Sequence, residues 1–274
     1  GDVYKRQFLY DTQYAVIDNF LVFKFWAGEQ LAYMMPVGSG DLKAILRELI
    51  EDADKEKHNF CMLGVCSNMR ADLEAILPGQ FTFTENRDYA DYIYLRSDLA
   101  TLKGKKFQAK RNHINRFRNT YPDYEYTPIT PDRIQECLDL EAEWCKVNNC
   151  DQQEGTGNER RALIYALHNF EALGLTGGIL HVNGKIVAFT FGMPINHETF
   201  GVHVEKADTN IDGAYAMINN EFANHIPEQY IYINREEDLG LEGLRKAKLS
   251  YQPVTILEKY MACLKDHPMD IIRW

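Results

Sequence analysis

Several widespread functional patterns are missing from this sequence. No pair of its six cysteines has the two-residue spacing of a zinc knuckle or a redox motif, and the histidines do not cluster beside them. No apolar run approaches the roughly 20 residues that a helix needs to span a bilayer, and no secretory signal is visible. We therefore expect a cytoplasmic protein whose cysteines are reduced, mostly buried thiols.

Catalytic signatures are scarce as well. No Ser-His-Asp arrangement, metal-ligand spacing or dinucleotide-binding fingerprint stands out. The turn "GVCSN" around Cys66 resembles a nucleophile elbow only superficially, because the second glycine of that motif is missing. The sequence predicts no metal site and no resident cofactor.

Basic residues are fewer than acidic residues in the whole chain, but many of them are concentrated in one segment. The net charge of -10 argues against a dedicated nucleic-acid binder. Residues 99–122 nevertheless carry seven bases and no acid. We expect one long helix over residues 98–119, with Lys106, Lys110 and His113 on one line. This helix either binds phosphate groups of RNA or of another substrate, or it is a solvated connector.

Strands and helices alternate in the same order in both halves of the chain. The first half is predicted as strand 31–37, helix 41–54, strand 59–66 and helix 67–77, and the second as strand 199–206, helix 213–226, strand 229–234 and helix 239–249. We predict an α/β (α+β) protein with two similar mixed layers.

The first seven residues, "GDVYKRQ", share no pattern with the rest and resemble translated adapter sequence. We expect them to be foreign and the natural start of the first domain to be missing.

The segment "NREEDLGLEGLRKAKLSY" at residues 234–251 has two interpretations. Acids before a predicted helix and bases at its end complement the helix dipole, with Asp238 as a plausible N-cap. Gly240 and Gly243 would cost about 1 kcal/mol each inside that helix, which indicates close approach of a ligand or backbone. The segment is therefore a substrate-contacting element or only a helix with suitably placed charges.

Two further positions are candidates for chemistry. Glu205 ends the strand "GVHVEK" beside His203 and Lys206, where it is either a general base or a partner in a surface salt bridge. Gly213 precedes a predicted helix whose first amides are suited to a phosphate, although one glycine is not a phosphate-loop signature.

Four segments together resemble a known, uncharacterised bacterial family: "DYIYLRSDLATLKGKKFQAKRNHINRF", "AFTFGMPI", "HVEKAD" and "INREEDLGLEGLRKAKLSYQP". That family is related to the C-terminal domain of phosphatidylglycerol lysyltransferase, and both are similar to the Fem-type peptidyltransferases. The resemblance covers nearly all of residues 8–274. It implies two tandem acyltransferase domains of the GCN5-related N-acetyltransferase (GNAT) fold, which we place at residues 1–97 and 98–274.

The resemblance also implies a reaction. Characterised relatives move an amino acid from aminoacyl-tRNA to an amine or a lipid hydroxyl. We therefore expect an acyltransferase with an aminoacyl-tRNA donor, and we expect Lys106, Lys110 and Arg111 of the basic segment to contact its phosphates.

An acyl transfer from such an ester requires an oriented acceptor, a proton acceptor and stabilisation of an oxyanion. The candidate bases are Glu205, Glu237 and Asp238. The candidate contacts to substrate or oxyanion are Arg235, Lys248 and Tyr251, which follow in or close to the same segment.

Two alternative functions stay open. An acetyl-CoA-dependent N-acetyltransferase would use Gly213 as its cofactor contact. Such enzymes usually carry Arg/Gln-x-x-Gly-x-Gly/Ala, whereas this sequence has "NIDGAY" with Asn210 first and Tyr215 last, which favours the aminoacyl donor. The second alternative is a non-catalytic RNA-binding module.

The acceptor and the location are the remaining expectations. The sequence contains no counterpart of the lysyltransferase's membrane-embedded half, so it does not favour a lipid acceptor. Peripheral contact with the inner membrane surface is the alternative to a purely cytoplasmic location.

Overall fold

A computed structural model describes residues 11–27, 29–148 and 154–265 of the chain. They fall into two compact units. The N-terminal unit contains the described residues up to Ala90 and those from Leu257 onward, and the C-terminal unit is Asp91–Ile256. The segment "GDVYKRQ", predicted to be foreign, lies outside the described residues.

Short strands and helices alternate along most of the described chain. The strands are β1 (Gln13–Ile17), β2 (Phe20–Ala27), β3 (Gln30–Met34), β4 (Val37–Gly38), β5 (Cys61–Val65), β6 (Phe81–Glu85), β7 (Asp91–Leu95), β8 (Glu125–Pro128), β9 (Thr176–Val182), β10 (Lys185–Pro194), β11 (Thr199–Ala207), β12 (Tyr232–Asn234), β13 (Thr255–Leu257) and β14 (Tyr260–Leu264).

The α-helices follow the same order along the chain. They are α1 (Leu42–Lys55), α2 (Ser67–Ile76), α3 (Arg96–Thr101), α4 (Gln108–Thr120), α5 (Ile134–Asn148), α6 (Glu154–His168), α7 (Ala214–His225) and α8 (Glu242–Leu249). None of the helices in the described part of the chain has both the length and the apolar character needed to cross a membrane.

The N-terminal unit has one mixed sheet in the order β1-β2-β3-β5-β14-β6, with β4 paired to β2. The pair β3 and β5 is parallel, whereas β14 runs antiparallel to both of its neighbours. Helix α1 buries the predicted apolar face, including Ile45 and Leu46, in the core of this unit. Asp41 caps the helix by accepting a hydrogen bond from the Ala44 amide at 3.1 Å.

The cysteine prediction is wrong for one pair. Cys61 on β5 and Cys263 on β14 form a disulfide. The two residues lie opposite each other in the antiparallel pairing, with a Cα–Cα distance of 4.1 Å, a proximity that a sequence separation of 202 residues hides. Cys66, Cys137 and Cys145 are free thiols, as predicted, and Cys150 lies outside the described residues.

The C-terminal unit has a second mixed sheet in the order β13-β7-β12-β11-β10-β9-β8. Strands β11 and β12 are parallel, while β12 and β7 are antiparallel. Each unit therefore contains one parallel pair with a helix in the connection between its two strands, α1 in the first and α7 in the second. This agreement confirms the mixed α+β class.

The division of the chain differs from the predicted domains 1–97 and 98–274. Strand β7 belongs to the C-terminal sheet because it pairs with β12. Strand β14, near the end of the described chain, belongs to the N-terminal sheet because it inserts between β5 and β6. Pairing between strands so distant in sequence leaves no local pattern, so the sequence assigned both strands to the wrong unit.

The predicted long basic helix over residues 98–119 is two helices. Helix α3 ends at Thr101, and Leu102 and Gly104 then adopt positive φ angles of 48° and 98° before α4 begins. The predicted apolar stripe is present, because Phe107, Ile114 and Phe117 are buried in the core of the unit.

Candidate functional site

Strands β11 and β12 pair over a short distance and then part. Their register joins Thr199 with Tyr232 and ends at Gly201 with Asn234, while β11 continues to Ala207. Glu205 lies on the part of β11 that pairs with β10 but no longer with β12, and Arg235 follows directly after β12. The Arg235 Nη2 donates to Glu205 Oε1 at 2.9 Å, so a largely buried ion pair links β11 to the residue after β12.

Helix α7 supplies a second hydrogen-bond donor to Glu205. The Asn219 Nδ2 donates to Glu205 Oε2 at 3.1 Å. The other polar atom of Asn219, Oδ1, is buried without a hydrogen-bond partner, and so is Arg235 Nη1, within the part of the chain that the structure describes. Buried polar atoms without partners are uncommon, and here an unused donor and an unused acceptor belong to residues that share one carboxylate.

Two cations lie close to the ring of Tyr251, which follows just after α8. The Lys110 ammonium lies 3.9 Å from the ring centroid, and the Arg235 guanidinium carbon lies 4.9 Å from it. Such contacts are attractive because the ring face carries negative charge. We refer to Lys110, Glu205, Asn219, Arg235 and Tyr251 as the Lys110 cluster.

The electrostatics of the Lys110 cluster differ from those of an exposed surface. Lys110 is half-buried, and its ammonium has no hydrogen-bond acceptor among the described residues. Burial, helped by the neighbouring Arg235 charge and opposed by Glu205, lowers the pKa of Lys110 to about 8. Burial also raises the pKa of the Tyr251 hydroxyl, which therefore stays neutral.

Asp238, predicted as a base or an N-cap, is committed to an ion pair. The carboxylate is fully buried and accepts two hydrogen bonds of 2.8 Å from the Arg245 guanidinium. The Tyr92 hydroxyl and the Gly240 amide also donate to it. The Arg245 guanidinium, with these donors, holds the pKa of Asp238 well below its usual range. Leu241 is the N-cap of α8, so the cap prediction is wrong.

Lys248, predicted as a substrate contact, braces the loop after β12. Its ammonium donates to the carbonyl oxygens of Arg235, Glu236 and Glu237. Burial lowers the pKa of Lys248 to about 8. Glu237, a predicted base, is half-buried in this loop. These three hydrogen bonds hold the backbone at Arg235 and thereby help to position Arg235 in the Lys110 cluster.

The three predicted phosphate contacts have different surroundings. Lys106 forms an ion pair with Asp98 at 2.9 Å. The Arg111 guanidinium donates to the carbonyl oxygens of Leu102 and Gly104, which stabilises the break between α3 and α4. Among these three side chains, Lys110 alone has a charged group without an acceptor in the described residues.

Gly213, the predicted cofactor contact, is a packing position. A Cβ atom there would lie 2.8 Å from the His113 carbonyl oxygen, so α4 covers the start of α7. An internal anion already occupies this helix terminus, because Asp212 pairs with Arg116 at 2.7 Å. This packing disfavours a phosphate at Gly213.

The other two glycines singled out in the sequence differ from the expectation. Gly240 lies before α8 with a φ of 75°, where its conformational freedom is needed. Gly243 lies in α8, and a Cβ atom there would meet nothing within 4 Å. The expected close approach of a backbone at Gly243 is therefore wrong among the described residues, while the approach of a ligand stays a prediction.

The packing at Gly213 makes a stability prediction. We expect Gly213→Ala to lower the free energy of unfolding by about 1–3 kcal/mol, because its φ of 83° is strained for alanine and α4 must move. Urea denaturation measures the change. Gly243→Ala is the matched control and should raise stability by about 0.5 kcal/mol, because the helix gains a better former in open space. Equal midpoints for both variants would contradict the packing described.

Sequence reasoning missed several residues around the site. Asn219 lies in the middle of α7 with no motif around it, and Tyr94 donates its hydroxyl to the Lys248 carbonyl oxygen from a distant strand. His203 and Glu236 form a pair at 2.6 Å that also depends on tertiary structure. No group of three or more residues suited to a metal ion occurs in the part of the chain that is described.

Comparison with known proteins gives these features a family context. The model of the family described as "Phosphatidylglycerol lysyltransferase, C-terminal" matches residues 3–263. The chain belongs to this family. Among curated proteins, an uncharacterized protein of Mycoplasmoides gallisepticum is 26% identical over 175 residues, which are 62% of this chain. The chain spans about half of that relative, 55% of its length.

Solved structures place this lysyltransferase C-terminal family member in a known fold. A conserved protein of unknown function from Bacteroides thetaiotaomicron is 93% identical, with a TM-score of 0.93 over 95% of this chain and 88% of that one. L-PGS from Bacillus licheniformis is 18% identical, with a TM-score of 0.68 over 97% and 88%.

A tandem GNAT protein from the clavulanic acid biosynthesis pathway is 11% identical, with a TM-score of 0.50 over 91% of this chain and 80% of that one. At these identities, the likeness to L-PGS and to the tandem GNAT protein concerns the fold alone. The prediction of two tandem GNAT-like domains is confirmed.

Proposed function

We propose that this lysyltransferase-like protein transfers an aminoacyl group from aminoacyl-tRNA to an amine or hydroxyl acceptor at the Lys110 cluster. One observation carries the proposal. The Lys110 ammonium has no acceptor among the described residues, and it lies against the Tyr251 ring that the Arg235 guanidinium also contacts, beside the point where β11 and β12 part. An unused ammonium in a partly desolvated position is suited to a carbonyl oxygen that becomes an oxyanion.

The chemistry that remains for the protein is limited, because an aminoacyl ester is already activated. The site must hold the ester beside the acceptor and stabilise the charge that develops on its oxygen. Glu205, held by Arg235 and Asn219, keeps the guanidinium oriented.

The basic segment supports a nucleic-acid donor. Lys103 and Lys105 lie on the exposed surface of the segment that also positions Lys110. We propose that these two side chains attract the phosphate backbone of the tRNA while Lys110 faces the ester. The acidic net charge of the whole chain makes such a local patch the place where an anionic partner is held.

The acetyl-CoA alternative has weaker support. Enzymes of this fold that bind CoA need free amides at the start of the helix after the long strand. Here α4 packs on Gly213, and Asp212 with Arg116 occupies that terminus. We therefore keep the aminoacyl donor as the proposed function.

A donor comparison tests the proposal. The protein is incubated with cell extract and either a labelled aminoacyl-tRNA mixture or labelled acetyl-CoA, and label transfer is measured. We expect transfer from aminoacyl-tRNA, reduced about 10²–10³-fold in Lys110→Ala and unchanged in Lys185→Ala, whose side chain is exposed in the β9–β10 hairpin. Transfer from acetyl-CoA alone contradicts the proposal, and tRNA binding without any transfer favours the RNA-binding module.

A further inference from the structure

We propose that Lys110 moves the proton of the acyl transfer, taking it from the acceptor and returning it to the leaving oxygen. This inference rests on the proposed function and assigns Lys110 a role other than contact with tRNA phosphates. It is argued from three features: the state of the predicted carboxylate bases, the surroundings of the Lys110 ammonium and the balance of the reaction.

Two of the three predicted carboxylate bases are already committed. Asp238 is fully buried and bound by Arg245, Tyr92 and the Gly240 amide. Both oxygens of Glu205 accept hydrogen bonds, one from Arg235 and one from Asn219. The oxygens of both carboxylates are therefore already occupied by donors of the protein itself.

Lys110 has the opposite surroundings. Its ammonium is half-buried against the Tyr251 ring and has no acceptor among the residues described. The charged groups acting on it from neighbouring elements are Arg235 and Glu205. On its own helical segment, four further basic side chains are engaged elsewhere: Lys106 with Asp98, Arg111 with backbone carbonyls, and His113 and Arg116 with Asp212.

These surroundings favour the neutral amine form of Lys110 more than those of an ordinary lysine do. Burial, with help from Arg235, lowers the pKa of Lys110 to about 8. With that pKa, Lys110 is neutral in roughly a quarter of the protein molecules at pH 7.5, whereas an ordinary lysine is neutral in roughly 0.1% of them. A proton acceptor with a pKa near the working pH is what general base catalysis requires.

Lys110 by itself can accept and return the one proton that moves during the reaction. The acceptor oxygen or nitrogen attacks the ester carbonyl carbon, and its proton moves to the neutral Lys110 amine. The resulting ammonium then stabilises the tetrahedral oxyanion. The bond from carbon to the tRNA 3′-oxygen breaks, and that oxygen takes the proton back from Lys110, which returns to its starting state.

The matched pair Lys110→Arg and Lys185→Arg tests this role. Arginine keeps the positive charge but does not lose its proton in this pH range. We expect Lys110→Arg to bind tRNA within about twofold of wild type but to transfer label about 10²–10³-fold more slowly. The wild-type transfer rate should rise with pH and level off near pH 8. We expect this rise with pH (the pH limb) to be absent in Lys110→Arg and present in Lys185→Arg.

Each outcome of this experiment decides one question. If Lys110→Arg transfers label within about threefold of wild type and keeps the pH limb, the inference is overturned while the proposed function stands. If its tRNA binding falls in parallel with its activity, Lys110 is a phosphate contact and the inference is also overturned. If the wild-type protein transfers no label from aminoacyl-tRNA, the proposed function fails and the inference fails with it.

Discussion

Replacing Asp238 with asparagine is expected to lower the free energy of unfolding of the C-terminal unit by about 3 kcal/mol. The carboxylate is fully buried and receives hydrogen bonds from Arg245, Tyr92 and the Gly240 amide. Asparagine keeps one acceptor but loses the charge and places an amide against the guanidinium. The expected value is at the low end for broken buried pairs, because the Arg245 side chain is 34% exposed and stays partly hydrated.

The dependence of this effect on pH gives it a specific signature. The folded-state pKa of Asp238 is lowered, so the ion pair contributes stability above the unfolded pKa of about 3.9 and loses it as the pH falls below that value. The difference between wild type and Asp238→Asn should therefore be full at pH 7 and shrink progressively below about pH 4. Urea denaturation at several pH values measures it.

Asp212→Asn is the matched control for Asp238→Asn. Asp212 also pairs with an arginine, Arg116, but both side chains are more than half exposed. Exposed pairs contribute little, so its unfolding midpoint should stay at the wild-type value. A midpoint for Asp238→Asn that equals wild type, or a difference that does not change with pH, contradicts the buried ion pair.

Neutralising the two charged neighbours of Lys110 is expected to shift its pKa in opposite directions. Arg235→Met removes a cation that lowers the pKa of Lys110, so the pKa should rise by about one unit. Glu205→Gln removes a carboxylate that raises it, so the pKa should fall by about one unit. A surface lysine far from both groups would not respond to either change.

Amine labelling measures these shifts without any assumption about activity. The rate of modification at Lys110 is followed against pH by peptide mass spectrometry, and its midpoint reports the pKa. Glu221→Gln is the control, because Glu221 interacts with Tyr124 and Arg118 and is not among the charges acting on Lys110. Variants are compared only below their unfolding transitions. Shifts of the same sign in Arg235→Met and Glu205→Gln contradict the charge arrangement of the Lys110 cluster.

The sequence was informative where a feature is local. The apolar face of α1 with its Asp41 cap and the buried stripe of Phe107, Ile114 and Phe117 follow from periodicity and capping, which involve residues within a few turns. The family resemblance supplied the tandem architecture. Lys110, Glu205, Arg235 and Tyr251 were all named from sequence, and the structure brings them together.

Features that depend on distant pairing could not be predicted in the same way. The disulfide between Cys61 and Cys263 follows from the return of β14 to the first sheet, which no local pattern records. Asp238 resembled a cap or a base because it lies in the acidic stretch before a predicted helix, whereas Tyr92 and Arg245 bind its carboxylate in the structure. Asn219 is an unremarkable helix residue until its contact with Glu205 is known.

Protection of Lys110 by the donor tests the central claim most directly. An aminoacyl-tRNA with an amide in place of the ester is titrated into the protein, and amine labelling of Lys110 and Lys185 is measured. At ten times its dissociation constant, the analogue should slow labelling of Lys110 about tenfold, with Lys185 unaffected and deacylated tRNA much less protective. Equal protection by deacylated tRNA, protection by acetyl-CoA, or no protection of Lys110 would contradict an aminoacyl site at this cluster.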